Sequence, residues 1–436
     1  MTTDSPNIVK WFRHSSPYIN AHRGKTFVIM LPGAAIECSN FTNIINDIAL
    51  LNSLGVKLVL VHGARPQIEQ RLAETNIDSK FYGSLRLTDQ ASLPCVLQAV
   101  GETRFAIEAA LSTGLPNSPM HGAHIQVVGG NFIIAKPWGV VDGIDFMLTG
   151  KVRRVNSKPL ANALDANAIV LLSPMGYSPT GETFNVSFAD VATQVAIALK
   201  ADKLIAFSSD DVFIGSDGRQ LRQMNLQECE QQLTQLQDND EESQSLVACL
   251  DVCKAGVPRA QMISYKKDGA LLEELFTRDG SGTLVYRGQY ETVRRATIDD
   301  VGGIIELIAP LEQQGILVRR SRELLETEIE RFTVAEMDGA VIGCAALYPY
   351  NDNMAELACV ATHPDYQKGG RARMVLEAIE QRAREMNLKQ LFVLTTQTAH
   401  WFIEQGFVAA DIKSLPEEKQ SLYNFQRNSK IFIKTL

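Results

Sequence analysis

The feature that most limits the possible folds is a regular alternation of apolar, strand-like runs with helix-like runs across residues 26–287. Strand candidates are 26–31, 56–62, 168–173, 203–207 and 262–265. Between them, 41–54, 66–75, 93–111, 188–200 and 269–276 carry apolar residues at helical spacing. Short apolar strands joined through helices predict an α/β fold: a mainly parallel sheet covered on both faces, a three-layer sandwich. One interval differs: Ile125 to Ala135 reads as a hairpin turning at Gly129-Gly130-Asn131. The polar run 231–244 reads as an exposed loop or helix end.

Beyond residue 293 the order changes. Thr297 and Asp300 stand at capping-box spacing ahead of a helix through Ile308, and Ser321 precedes a helical run, 322–332. Runs 333–337 and 341–348 flank Asp338-Gly339, a hairpin signal. Glu356 then opens a short apolar strand, 357–362, which His363-Pro364-Asp365 ends because proline cannot continue a paired strand. Gln367-Lys368-Gly369-Gly370-Arg371-Ala372 leads into a helical run, 374–386. A further strand, 391–395, and a helix-to-strand turn, His400 to Phe407, follow. A glycine-bearing loop that opens a helix presents unpaired N–H groups and the positive end of the dipole, a site for an anion such as a pyrophosphate. Gly369 and Gly370 allow close backbone approach, and Arg371 and Arg373 add positive charge.

With 436 residues, 45% of them hydrophobic, two or three domains are expected. The net charge of −8 argues against nucleic acid as a partner. No apolar run approaches the ~20 residues that span a bilayer, and Met1 to Pro6 has neither the basic nor the apolar region of a secretory signal. Seven scattered cysteines without Cys-x-x-Cys spacing point to a reducing cytoplasm and no metal site, with Cys249 and Cys253 packed in a helix.

The succession of strand, His-Pro, Gln367-x-x-Gly370-x-Ala372 and helix resembles the coenzyme A signature of the GNAT acetyltransferase family, Arg/Gln-x-x-Gly-x-Gly/Ala, and the element order fits over residues 293–436. The resemblance implies a mixed sheet with helices and acetyl-CoA as co-substrate, held by Gln367, Lys368, Gly369, Gly370, Arg371, Ala372 and Arg373. It also implies a strand that splays from its neighbour over 358–361, where the N–H groups of Cys359 and Val360 polarise the thioester. Acetyl transfer to an amine needs a base, and Glu356 is the candidate, acting directly or through water. Cys359 sits at this centre as a small buried residue rather than a nucleophile. The late turn reads Trp401-Phe402 where many relatives place an acidic tyrosine, which leaves Tyr423 or Thr395 to protonate the thiolate. An amino-acid acceptor with two carboxylates suits the basic and hydroxyl groups of 316–321 and 423–430. Leu317, Arg319, Arg427 and Ser429 are chosen, with Arg320 and Lys430 beside them.

Residues 25–283 resemble the amino-acid kinase fold, in particular the acetylglutamate kinases, through Val28 to Gly33, Val61 to Ile68, Leu199 to Ile205 and Leu272 to Phe276. The departures matter more. Those kinases have Lys-x-Gly-Gly where this chain has Met30-Leu31-Pro32-Gly33, and their His-Gly-Gly-Gly-Pro loop has become His62-Gly63-Ala64-Arg65-Pro66. Methionine cannot neutralise a phosphoryl group, and proline removes a backbone donor. Arginine-inhibited members carry an added N-terminal helix and an arginine pocket beside a segment like Glu274 to Thr283. The resemblance therefore implies a non-catalytic regulatory domain that holds L-arginine through Tyr18, Lys203, Gln261, Glu274, Gly280 and Gly282, with Gln261 standing where the family has a histidine.

The expected organisation is a helical arm at 1–24, a kinase-like domain at 25–283, a link at 284–292 and an acetyltransferase domain at 293–436. This pairing resembles a bacterial family of two-domain enzymes that acetylate L-glutamate from acetyl-CoA at the head of arginine biosynthesis. Such a relationship implies feedback inhibition by L-arginine and self-association through the kinase-like domain and arm. A bifunctional synthase-kinase, or an arginine sensor with a vestigial acetyltransferase, are the alternatives.

Overall fold

The computed structural model describes residues 5–114, 120–209, 213–214, 220–236, 241–277, 280–287, 291–337, 340–350, 353–367, 370–421, 423 and 429–436. It divides into two compact units, Met1–Gly288 and Gln289–Leu436.

The first unit is built on an eight-stranded sheet in the order Gln223–Asn225, Thr283–Tyr286, Arg259–Ser264, Lys203–Ser208, Thr26–Leu31, Lys57–His62, Ile169–Leu172, Val127–Val128. Every neighbouring pair is parallel except Arg259–Ser264 with Thr283–Tyr286. The central strands lack polar alternation because both faces are covered. Phe27, Ile29, Leu31, Leu58 and Leu60 pack with Ile44, Ile45 and Ile48 of the helix Phe41–Ser53. Val28, Met30, Val59 and Val61 pack with Val191, Val195, Cys249 and Cys253 of the helices Phe188–Leu199 and Glu241–Lys254. Each such fully buried side chain contributes about 1.5–3 kcal/mol of burial free energy.

The expected hairpin at Ile125 to Ala135 does not form. Val127–Val128 pairs parallel with Ile169 and Val170, whereas Ile133–Pro137 pairs antiparallel with Thr149–Val155 in a small closed barrel. The Gly129-Gly130-Asn131 turn passes the chain between sheets. A side chain at Gly129 would meet Arg104 Nη2 at 2.6 Å and the Leu171 carbonyl at 3.1 Å. Residues 284–286, expected in the link, belong to a strand of the first unit.

The second unit has a seven-stranded mixed sheet in the order Thr292–Arg295, Phe332–Met337, Ala340–Pro349, Met354–Thr362, Gln390–Thr395, Lys430–Thr435, Val408–Ala410. The helix Arg371–Glu385 packs on one face through Val375, Leu376, Ile379 and Ala383. The helix Val301–Gln313 packs on the other through Ile304, Leu307 and Ile308. The expected caps are present. Thr297 and Asp300 close a capping box, and the Ser321 hydroxyl accepts from the Leu324 amide at 3.2 Å. Among the described residues, no helix is long and apolar enough to cross a membrane.

Candidate functional site

The strand Met354–Thr362 pairs along its length with Ala340–Pro349, but with Gln390–Thr395 only over Met354–Glu356. Beyond Glu356 the two parallel strands part, and the backbone of 357–362 on that side leaves the ladder. A bulge accompanies the parting: Cys359 and Val360 together stand opposite Ala345, and Cys359 takes a φ of +55°. A non-glycine residue in this region costs on the order of 1–3 kcal/mol and bends its strand. The extra residue also switches faces. Ala355 and Leu357 pack beside the helix Arg371–Glu385, whereas Cys359 and Ala361 pack beside Val301–Gln313. Glu356 and Cys359 therefore share one face.

After the strand, a short turn at Pro364–Tyr366 reaches Gly370, which caps the helix Arg371–Glu385 with a φ of +77° and no side-chain cap. A Cβ on Gly370 would meet nothing within 4 Å, so glycine serves conformation there rather than space. The first-turn amides are left for a ligand. Gln367 is exposed and Ala372 half-buried; Lys368 and Gly369 lie outside the described residues. Arg371, expected to add positive charge to the loop, is paired: its Nε donates to both Glu291 oxygens at 2.8 and 3.1 Å, and its guanidinium lies over Tyr366. A bidentate carboxylate partner satisfies that fork. Arg373 is exposed and pairs with Glu377 one turn on.

Glu356 is held by two groups that its own sequence neighbourhood does not announce. Its Oε2 accepts from Lys419 Nζ at 2.6 Å and from the Tyr350 hydroxyl at 3.4 Å. The Glu356 and Lys419 side chains are only 13% and 19% exposed. Cross-strand pairing sets Tyr348 against Glu356, and the Tyr348 hydroxyl donates to Glu328 at 2.7 Å. Burial, followed by the Glu328 hydrogen bond, pushes the Tyr348 phenol up to about 12. Burial and Glu356 push Tyr350 up to about 12 as well. Of the two arginines at 319–320, the side chain of Arg320 reaches Tyr348, near Cys359 and Glu356, whereas Arg319 is exposed. Leu317 packs beside Cys359. Burial pushes the Cys359 thiol up to about 11, against the nearby Arg320.

Thr395 ends the splayed neighbour strand, opposite Lys430, and exchanges a hydrogen bond of 2.9 Å with Thr398. The Tyr423 hydroxyl donates to the Ser429 carbonyl at 2.7 Å. Thr395, Tyr423 and Ser429 are thus gathered near the opening; Arg427 lies outside the described residues.

In the first unit, Glu274 accepts from the Ser281 and Gly282 amides at 2.7 and 3.0 Å. A Cβ on Gly280 would lie 2.6 Å from its carboxylate, and one on Gly282 only 1.9 Å from the Met262 carbonyl. Burial raises the Glu274 carboxyl, against those amides and Lys203. Burial lowers the Lys203 ammonium to about 8, with Arg259 acting in the same direction. Gln261 faces Glu274, and its buried Oε1 has no hydrogen-bond partner among the described residues. The helix Ser5–His22 docks beside this group: His22 Nε2 meets the Leu275 carbonyl at 2.9 Å, and Tyr18 packs on the same core. These elements gather a buried lysine, a carboxylate and, among the described residues, an unpaired acceptor, groups suited to an amino acid with a cationic side chain.

At the carboxyl ends of Thr26–Leu31, Lys57–His62 and Ile169–Leu172 lies an open pocket lined by Gly33, Gly63, Arg65, Arg86 and Asn185. Met30 at the first strand end is fully buried and brings no charge there. Among the described residues, no group of three or more His, Cys, Asp or Glu side chains is placed to hold a metal ion.

A parted parallel pair followed by a glycine-started helix defines an acyl-CoA-dependent acetyltransferase unit joined to a kinase-like one. Residues 25–264 match the amino acid kinase family and residues 304–407 the acetyltransferase (GNAT) family. An amino-acid acetyltransferase of Azotobacter vinelandii is 57% identical over 98% of this chain and 99% of its own length. One of Pseudomonas putida is 55% identical over 99% of this chain and 100% of its own. The crystal structure of N-acetylglutamate synthase from Neisseria gonorrhoeae complexed with coenzyme A and L-arginine superposes with a TM-score of 0.87 at 35% identity, covering 98% of this chain and 99% of that one. The same synthase with coenzyme A and N-acetyl-glutamate gives 0.63 at 36%, with the same coverage. The chain belongs to the amino-acid acetyltransferase family.

Proposed function

We propose that this enzyme transfers the acetyl group of acetyl-CoA to the α-amine of L-glutamate, giving N-acetyl-L-glutamate and CoA, the first step of arginine biosynthesis, and that L-arginine inhibits it. The observation that carries the reading is the parting of Met354–Thr362 from Gln390–Thr395 beyond Glu356, immediately ahead of the Gly370 helix start. Acetyl-CoA lies in that opening, with its pyrophosphate on the loop and first-turn amides from Gln367 to Arg373. The amides of Cys359 and Val360 polarise the thioester oxygen. Glu356 takes the ammonium proton, directly or through water. The freed amine attacks the carbonyl carbon, the C–S bond breaks, and Thr395 or Tyr423 protonates the departing thiolate. Arg319, Arg427 and Ser429 hold the acceptor's carboxylates, with Leu317 lining the same site, and the position of Arg320 adds it to that group.

The regulatory reading rests on Glu274, Lys203 and the unpaired Gln261 oxygen. L-Arginine places its guanidinium on Glu274, Gln261 and the carbonyls near Gly280 and Gly282, and its carboxylate on Lys203, with Tyr18 of the arm closing the pocket. Met30 and Pro32 disfavour a second, phosphorylating activity. The enzyme acts in the cytoplasm and self-associates through the kinase-like unit and its arm. A thiol-release assay over a panel of amino acids, with and without arginine, tests the whole. Glutamate should be preferred and arginine should suppress the rate; turnover without glutamate preference would sink the substrate assignment.

A further inference from the structure

Among the described residues Lys419 is the one cation hydrogen-bonded to the candidate base, and it has no assigned role in the reaction. We infer that Lys419 is a specificity-determining positioning residue, joining the acceptor's second carboxylate to Glu356. The inference rests on the acetyl-transfer reading above.

Lys419 is placed by its surroundings rather than left to wander. It sits on the short helix Glu417–Ser421, whose first turn is closed by the Lys419 amide donating to the Pro416 carbonyl at 2.8 Å. The neighbouring Gln420 Nε2 donates to the Leu415 carbonyl at 2.6 Å, and Leu415 is buried against Phe392 and Met354 at the root of the parted strands. The ammonium thus reaches Glu356 Oε2 from a fixed base, 63 residues along the chain from its partner.

An ammonium offers three donors, and Glu356 takes one. A dicarboxylic amine that brings its nitrogen to Glu356 must bring a second anion close to the same carboxylate, and two adjacent carboxylates repel. A cation bonded to Glu356 with donors to spare offsets that repulsion and orients the incoming anion. A neutral amide in place of the distal carboxylate gains much less from it. Lys419 therefore favours L-glutamate over L-glutamine, chiefly through acceptor binding. Tyr350, on the same oxygen at 3.4 Å, holds Glu356 in place without distinguishing the two acceptors.

The test uses the full-length enzyme with saturating acetyl-CoA and measures kcat and KM for L-glutamate and L-glutamine by thiol release. Lys419→Met should lower the glutamate-to-glutamine ratio of kcat/KM by about tenfold or more, mostly as a higher KM for glutamate. Lys419→Arg should restore part of the ratio, and coenzyme A affinity should stay unchanged in both. A ratio unchanged in Lys419→Met, or kcat falling equally on both acceptors, overturns the inference. Should the methionine variant fail to fold, Lys419→Gln, which keeps a hydrogen-bond donor without the charge, decides on the same ratio. A wild-type enzyme that does not acetylate glutamate would instead overturn the reading beneath it.

Discussion

At the scale of single residues, burial decides what each candidate can do. The Cys359 thiol is pushed up to about 11 by burial, so almost none of it is thiolate at neutral pH. Cys359→Ala should therefore keep kcat within about tenfold of the parent, whereas loss of a covalent nucleophile costs on the order of a million-fold. A burst of acetylated enzyme in rapid-quench experiments would contradict direct transfer. Lys203 behaves in the opposite sense. Its ammonium is lowered to about 8 in the folded protein, against about 10.4 in an unfolded chain. The charged form is thus already being lost near pH 8, and an effector carboxylate that depends on it should bind less well as pH rises through that value. Arginine inhibition measured from pH 7 to 9 should weaken steadily, and Lys203→Met should be insensitive throughout. A flat profile in the parent would remove Lys203 from the pocket. Stability follows the same sign: folding disfavours the protonated lysine, so this group's contribution is most favourable above the unfolded value and diminishes as pH falls toward 8.

At the scale of elements, what the sequence disclosed and what it hid divide by range. The helix Leu93–Leu111 and the caps at Thr297 and Ser321 were legible because their signals lie within a few residues. Ile125 to Ala135 was misread because alternation reveals a strand but not which distant strand will take it. Glu356 was expected to open its strand, but the strand begins at Met354 and Glu356 lies inside it; its partner Lys419, on a helix of one turn, gave no signal at all. The carboxylate partner of Arg371 was hidden because Glu291 lies 80 residues earlier. The Gly370 helix start is the element on which acyl-carrier binding depends. Its φ of +77° costs an alanine about 1 kcal/mol, and relief of that strain would re-aim the first-turn amides. Gly370→Ala should raise KM for acetyl-CoA several-fold while leaving kcat at saturation nearly unchanged. An equal fall in kcat with no change in KM would place the role of the loop elsewhere. The helix Ser5–His22 is similarly exposed to pH. Burial, reinforced by Lys203, lowers His22 to about 4, so the contribution of its neutral ring to docking is present above about pH 6.5 and is lost as pH falls toward 4. Acidification over that window should release the helix, read as amide exchange in its last turn. Protection that is unchanged across the window would contradict the assignment.

At the scale of the whole molecule, each unit encloses its own sheet and its own apolar layers. Among the described residues all seven strands of the second sheet come from Gln289–Leu436, so residues 289–436 alone should fold, bind coenzyme A within about tenfold of the full chain, and acetylate glutamate. The proposed regulation makes a further demand. A coupling between arginine and acetyl-CoA is reciprocal, so whatever factor arginine imposes on acetyl-CoA affinity, acetyl-CoA must impose on arginine affinity. Such coupling typically amounts to ~1–3 kcal/mol, or about 5- to 150-fold. In the intact chain, calorimetric titration of arginine with and without saturating coenzyme A should give the same ratio as the reverse titration. Cutting the chain at residue 288 should leave both intrinsic affinities and reduce both ratios to one. Were arginine to inhibit the isolated second unit, the effector would be acting beside Glu356 as a competing amino acid, and Glu274 with Lys203 would lose its regulatory role.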